Sequence, residues 1–291
     1  MFELSAEKLT ALLVESGKRI WEYVLEQEAE RSGQAPEAIL EEMDRRLGIM
    51  EESAEKARRE PVRSVSGLTG GNSFLYSGYC REGRSILGST ISEAAAMALS
   101  AGEVNASMDR VVACPTAGSC GIVPASLLAC ARERGRSRKE VVQALFTASG
   151  VGIMIGSRAT LSGAEGGCQA ECGSAAAMAA AAVVELCGGS PGASFHGAAM
   201  AFKNVMGLVC DPVAGLVEIP CVKRNAMGAA NALLCADLAL AGVESYIPFD
   251  DVLDAVKRVG KMMPECLRET ALGGLAATPA ARRMAETLER T

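Results

Sequence analysis

Small residues dominate long stretches of this chain: ISEAAAMALSAGEV at 91–104, SAAAMAAAAVVEL at 174–186 and NAMGAANALLCADLAL at 225–240. Such runs lack the β-branched and aromatic side chains that fill the faces of a sheet. Alanine, in contrast, is the strongest helix former, and its short side chain lets helices approach closely. Aromatic residues make up only 4% of the chain, which argues further against a large β-sandwich or barrel. No strand-like alternation persists, and no internal repeat of fixed period appears. The expected fold is mostly α, a single multi-helix domain.

Four segments rich in glycine and proline separate the runs: PVRSVSGLTGGNS (61–73), ACPTAGSCGIVP (113–124), LSGAEGGCQAECG (161–173) and GLVCDPVAGLVEIPCVKRNA (207–226). Irregular segments between rigid elements are where binding and catalytic groups concentrate. Helices are expected over 85–112, over 138–158 and through the alanine-rich stretch to about Leu186. CGGSPGASFHG reads as a loop before a helix to Met206, and helices follow over 225–240 and 250–263. Residues 5 to about 60 read as two helices. Ser5 is an N-cap, with Leu9, Leu13, Ile20 and Val24 on one face. Pro36 opens the second helix, which places Leu40, Met43, Leu47 and Met50 along one stripe. The charged stretches EEMDRR and EESAEKARRE mark a solvated outer face here.

The net charge of −6 and the acidic pI of about 5.2 argue against a nucleic-acid partner, which calls for a basic surface. The N-terminus, MFELSAEKLT, has no basic stretch followed by an apolar one, as a signal peptide would. The longest uncharged window, 111–131, is interrupted by Pro115, Gly118, Gly121 and Pro124. That pattern suits a buried loop and helix better than a membrane span. The expectation is a cytoplasmic protein without a membrane partner.

Eleven cysteines need an explanation. Without a secretory context, and in a chain large enough to form its own core, disulfide staples are disfavoured. Cys130, Cys187 and Cys235 lie in apolar helical runs and read as small buried hydrophobes. Cys168 in GAEGGCQAE, Cys210 in GLVCDPV and Cys221 in EIPCVKRN differ, because each has glycine or proline close by and a polar neighbour. Their spacing matches neither a zinc ribbon nor a ferredoxin. Three thiolates on a four-iron cube would leave one iron open, able to act as a Lewis acid on a substrate hydroxyl. Lys203 and Lys223, the lysines near the glycine-rich segments, sit in no recognisable pyridoxal-phosphate setting.

Several long segments, in order, resemble one family, the α subunit of the iron–sulfur-dependent L-serine dehydratases. They are LEQEAERSG, SVSGLTGGNS, VACPTAGSCGI, LSGAEGGCQAE, GLVCDPVAGLVEIPC, KRNA and RETALGGLAATP. The resemblance implies conversion of L-serine to pyruvate and ammonia, with Cys168, Cys210 and Cys221 as ligands of a [4Fe–4S] cluster. It implies that Ser66, Gly67, Thr69, Gly70 and Gly71 hold the substrate carboxylate in a backbone nest. Thr116 and Gly118 are expected in the same pocket. Arg224 and Asn225 are expected to bind substrate or to brace Cys221. A requirement for a monovalent cation is left open. On this reading residues 1–62 form a helical segment packed on an all-α cluster-binding catalytic domain, 63–291.

Many family members carry aspartate at the position of Asn72, so a charge role there is not carried over. Cys172, one turn beyond Cys168, is an alternative ligand or a core residue, and Cys120 a candidate pocket wall. The family's Ser-Ser-His-Thr segment, which supplies an active-site histidine from a small separate domain, has no counterpart here. His196, the one histidine, does not match it and reads as a loop or helix-start residue bonded to backbone. The implied partner is a separately encoded β subunit carrying that histidine. Two other readings stand beside this one: a cluster-binding redox sensor or electron carrier, favoured by a fourth thiolate, and a related lyase acting on cysteine or another small β-substituted amino acid.

Overall fold

The structure is a computed structural model that describes residues 4–288. It is 72% helical, without strands among the described residues. Ser5 caps α1 (Ala6–Ser16), accepting from the Lys8 N–H at 3.2 Å. Gly17 then takes the left-handed conformation, φ 67°, and ends the helix. The N-terminal region therefore holds three helices rather than the expected two. α2 (Ile20–Ser32) starts afresh three residues later, and α3 (Pro36–Arg59) follows with its proline in the first turn. What starts α2 is a tertiary contact. The buried Glu185 carboxylate accepts from the N–H groups of Ile20 (2.9 Å) and Trp21 (3.1 Å) and from the Thr147 hydroxyl (2.6 Å).

After the 61–71 segment come α4 (Asn72–Arg81) and α5 (Gly88–Ala106). The sequence reading had no helix at α4. Its start is capped from α5, where Glu103 accepts from the Asn72 N–H (2.6 Å) and the Ser73 N–H (3.1 Å). Next are α6 (Ile122–Arg134), α7 (Arg138–Arg158), a single turn α8 (Gly163–Gly166) and α9 (Ser174–Leu186). α10 (Pro191–Lys203) begins earlier than expected, because Ser190 caps it and Pro191 suits its first position. α11 (Cys221–Leu240), α12 (Phe249–Met262) and α13 (Pro279–Leu288) complete the chain.

Every residue of α9 is buried. It packs against α6, α7, α10 and α11, and its alanines are what allow four neighbours to crowd one axis. A second centre is α5, which packs against α3, α4, α6 and α11. Among the described residues α7 alone is long and apolar enough to cross a membrane, and 67% of its most apolar window is buried inside the fold. It lies against α9 and α2. Near the N-termini of α9 and α11 the polar loops meet, Thr69 bonding to Glu218 and Thr116 to Glu171.

Candidate active site

Cys168 sits at the entrance to a wide helical turn, 169–173, that leads into α9. Gly167 before it has φ 74°, and a Cβ there would stand 2.7 Å from Met263 Sδ and 2.9 Å from the Leu208 carbonyl. Only glycine allows that approach. The approach is held by Gln169, fully buried: its N–H donates to Leu208 O (3.0 Å) and its Oε1 accepts from Gly207 N (2.8 Å). Two segments 38 residues apart in sequence are thereby joined beside Cys168 and Cys210.

Cys210 is fixed by the late segment that carries RETALGGLAATP. Its N–H donates to Leu267 O (2.9 Å) and its carbonyl accepts from Glu269 N (2.7 Å). The neighbouring Asp211, buried, accepts from Leu275 N (2.7 Å) and from Arg224 Nη2 (3.0 Å). Arg224 Nη1 also donates to Val209 O (2.7 Å). Arg224, expected to bind substrate or to brace Cys221, instead braces the strap around Cys210. Cys221 is the first residue of α11, directly after a cis Ile219–Pro220 bond.

The three thiols are 2%, 3% and 8% exposed, and they feel one another electrostatically. Burial pushes Cys210 up, reinforced by Glu171, Cys168 and Cys221. Burial, with the Cys168 charge, pushes Cys221 up to about 12. Cys168 is held below the ordinary thiol value, chiefly by its 3.4 Å contact with the Cys172 sulfur and, against burial, by the attraction of Arg224. Of the three, Cys168 is the one whose surroundings favour thiolate.

Glu171 lies at the centre of this group. Its Oε1 accepts from Thr116 Oγ1 (3.0 Å), and its Oε2 lies 3.8 Å from Cys210 Sγ. Burial raises its carboxyl pKa. Gly163 and Gly118 flank it. A Cβ on Gly163 would stand 2.6 Å from Glu171 Oε2 and 3.2 Å from Cys210 Sγ, and one on Gly118 3.5 Å from Glu171 Oε1. Thr116 and Gly118 are thus brought beside Glu171. Asn225, with no exposed surface, is engaged entirely within the protein. Its Oδ1 accepts from Gly121 N (2.9 Å), and its Nδ2 donates to Gly118 O (2.7 Å) and Cys221 O (3.0 Å). It ties the 116–121 turn to the start of α11.

In the 64–71 loop the Thr69 hydroxyl donates to Glu218 Oε2 (3.0 Å), which joins this loop to the segment leading into Cys221. Most of its N–H groups turn inward: Gly67 donates to Ser64 O, Leu68 to Ser66 Oγ, Thr69 to Ser64 Oγ and Gly71 to Val62 O. The Ser66 and Gly70 N–H groups have no acceptor among the described residues. His196 lies inside α10, where its Nδ1 accepts from Ser245 N at 3.2 Å.

Sequence reasoning missed four acidic residues: Glu103, Glu171, Asp211 and Glu218. Glu103 stands alone in a small-residue run, and the other three lie within the glycine- and proline-rich segments, a signal that was available. Cavity size alone is a poor guide. The apolar cleft of about 940 Å³ between α4 and α11, lined by Phe74, Leu75, Tyr79 and Met227, is not lined by any of the three thiols.

Among the described residues no group of three His, Cys, Asp or Glu side chains is drawn close enough to hold a single metal ion. A four-iron cube is a wider object, in which each thiolate takes a different iron and the sulfurs stand well apart. The donor set fits that object in its chemistry: three buried thiols and a guanidinium, that of Arg224, which favours thiolate. The Cys172 sulfur lies 3.4 Å from that of Cys168.

The comparisons with known proteins give the family. Residues 15–276 match the family model described as "Serine dehydratase alpha chain". The chain belongs to this family. It is similar to the probable L-serine dehydratase alpha chain of Bacillus subtilis (strain 168), 47% identical over 280 residues, covering 96% of this chain and 93% of that one. It is likewise 47% identical over 273 residues to the L-serine dehydratase alpha chain of Peptoniphilus asaccharolyticus, covering 94% and 93%. To the L-serine dehydratase TdcG of Escherichia coli (strain K12) it is 42% identical over 181 residues, 62% of this chain but 40% of that one. In that longer relative the matched region is thus one part of a larger polypeptide.

Proposed function

We propose that this chain is the catalytic α subunit of a cytoplasmic L-serine dehydratase that converts L-serine to pyruvate and ammonia. The observation that carries the proposal is the meeting of Cys168, Cys210 and Cys221, all buried, around Glu171 at the end of the fold where the Thr69 loop is tied to the Cys221 segment. When bound, a [4Fe–4S] cluster on these three thiolates supplies an iron with an open position, a Lewis acid for the serine hydroxyl. The chain's own residues do the rest of the positioning. The free N–H groups of Ser66 and Gly70 are donors for the substrate carboxylate, with Gly67 and Gly71 giving the loop its left-handed turns and Thr69 fixing it through Glu218. Thr116 and Gly118 form the wall next to Glu171, while Arg224 and Asn225 hold the Cys210 and Cys221 segments in register.

His196 is engaged with Ser245, and the acid–base histidine is assigned to a separately encoded β subunit. General acid–base groups contribute about a hundred- to ten-thousand-fold in rate, so the α chain alone should show only trace turnover. The test is anaerobic pyruvate formation from L-serine by the reconstituted α chain, with and without β subunit, together with an iron and acid-labile sulfide count. A panel including cysteine, and sodium against potassium buffers, reads substrate class and cation requirement in the same assay. Cluster absorbance lost in Cys168→Ala, Cys210→Ala and Cys221→Ala, but kept in Cys172→Ala, is the expected pattern. A full cluster in Cys210→Ala, or a chain lacking iron that turns over serine in air, overturns the proposal.

A further inference from the structure

Cys130 and Cys187, read from the sequence as apolar fillers, face each other far from the proposed active site. Cys130 lies in the last turns of α6, Cys187 just past the end of α9, and their sulfurs are 3.4 Å apart. From Cys172 at the opposite end of α9, Cys187 is roughly 20 Å away along the helix axis. Cys130 is buried, whereas Cys187 is half-exposed and both line a cleft of about 470 Å³ together with Arg134, Asp237, Leu233 and Leu240. We propose that Cys130 and Cys187 form a reversible thiol–disulfide site, in which Cys187 exchanges with small disulfides entering this cleft and Cys130 resolves the product.

The geometry assigns the order of events. Cys187 is the thiol that the cleft exposes. The hydrogen bond with Cys130, aided by Arg134 and Arg136 against burial, brings Cys187 down to about 7. A low-molecular-weight disulfide in the cleft is attacked at one sulfur by the Cys187 thiolate; its S–S bond breaks, and one thiol leaves carrying a proton. Cys130 then gives up its proton and attacks the Cys187 sulfur, releasing the second thiol. The protein pair loses two electrons and two protons, and the small disulfide gains both. Closing the bond requires the sulfurs to move from 3.4 Å to the disulfide length, a change of about 1.4 Å. The product would tie the far ends of α6 and α9, whose near ends lead out of the 116–121 turn and the Cys168 turn. This inference does not depend on the proposed activity.

The test uses the purified full chain, equilibrated anaerobically in a series of reduced and oxidised glutathione buffers, quenched in acid and alkylated. Tandem mass spectrometry then reads each cysteine. The expected result is a Cys130–Cys187 crosslink that grows from a tenth to nine tenths over a roughly hundredfold change in the glutathione quotient, as a two-electron couple requires, and that is removed by dithiothreitol. Cys130→Ser should stop at a mixed disulfide of glutathione on Cys187, and Cys187→Ser should leave Cys130 fully alkylated. The proposal is overturned if both wild-type thiols alkylate to the same extent in every buffer. It is equally overturned if the oxidised wild type carries glutathione on Cys187 with Cys130 still free.

Discussion

Replacing Asn225 by aspartate changes a side chain of the same size and shape at a position with no exposed surface. The amide makes three hydrogen bonds, one as acceptor from Gly121 N and two as donor, to Gly118 O at 2.7 Å and Cys221 O at 3.0 Å. The carboxylate keeps the first and loses both others, and its second oxygen then faces two carbonyls. Each lost hydrogen bond costs about 1 kcal/mol net, and a buried acceptor left unsatisfied about 1–3 kcal/mol more. The Cys221 carbonyl keeps its helical partner within α11, so the larger loss falls on Gly118. Adding the burial of an unpaired charge, Asn225→Asp should destabilise the chain by about 3–5 kcal/mol. Asn225→Ala loses all three bonds but introduces neither charge nor repulsion, and should cost less, about 3 kcal/mol. Urea unfolding of the cluster-free chain, followed by far-ultraviolet circular dichroism, measures both. The midpoints should fall in the order wild type, Ala, Asp at unchanged slope, with thermal midpoints lowered by on the order of 10 °C for Asp. An aspartate variant within 0.5 kcal/mol of wild type, an error-scale margin, would show that the amide does not knit the 116–121 turn to α11.

Glu103→Ala should cost about 2–4 kcal/mol, because Asn72 N, Asn72 Nδ2 and Ser73 N all lose their acceptor; faster hydrogen exchange confined to 64–75 is the signature, and unchanged protection there refutes it. Glu185→Ala should cost about 3–5 kcal/mol and fray the start of α2, read as lost amide protection at Ile20 and Trp21. His196→Ala, by contrast, should leave the αβ enzyme within a few-fold of normal turnover, with a stability loss of about 1 kcal/mol from the Ser245 bond; a thousandfold fall in rate would place that histidine in the chemistry. Aeration should bleach the cluster and abolish activity, and ferrous iron with thiol under anaerobic conditions should restore both, since an iron with an open position is accessible to oxidants.

Much of this molecule was legible in the chain itself, because the signals were local. Alanine-rich runs without strand alternation are helices wherever they are placed, and α7 begins and ends where its pattern does, at 138 and 158. Glycine and proline marked the four irregular segments, and the polar settings of Cys168, Cys210 and Cys221 are what nominate them as the proposed ligands. What the chain did not show was every feature supplied from a distance. The breaks that open α2 and α4 depend on carboxylates of α9 and α5, 165 and 31 residues away for Ile20 and Asn72. A helix N-terminus exposes N–H groups that any acceptor can satisfy, so a cap from another helix leaves no mark in the adjacent sequence. The same holds for Glu171, Asp211 and Glu218, whose roles exist only where Cys168, the Cys210 strap and the Thr69 loop meet. Cys130 and Cys187 read as filler in their own helices, and only the crossing of α6 on α9 sets their sulfurs side by side. Backbone propensity is a property of neighbours in sequence, whereas a buried charge or thiol takes its chemistry from neighbours in space.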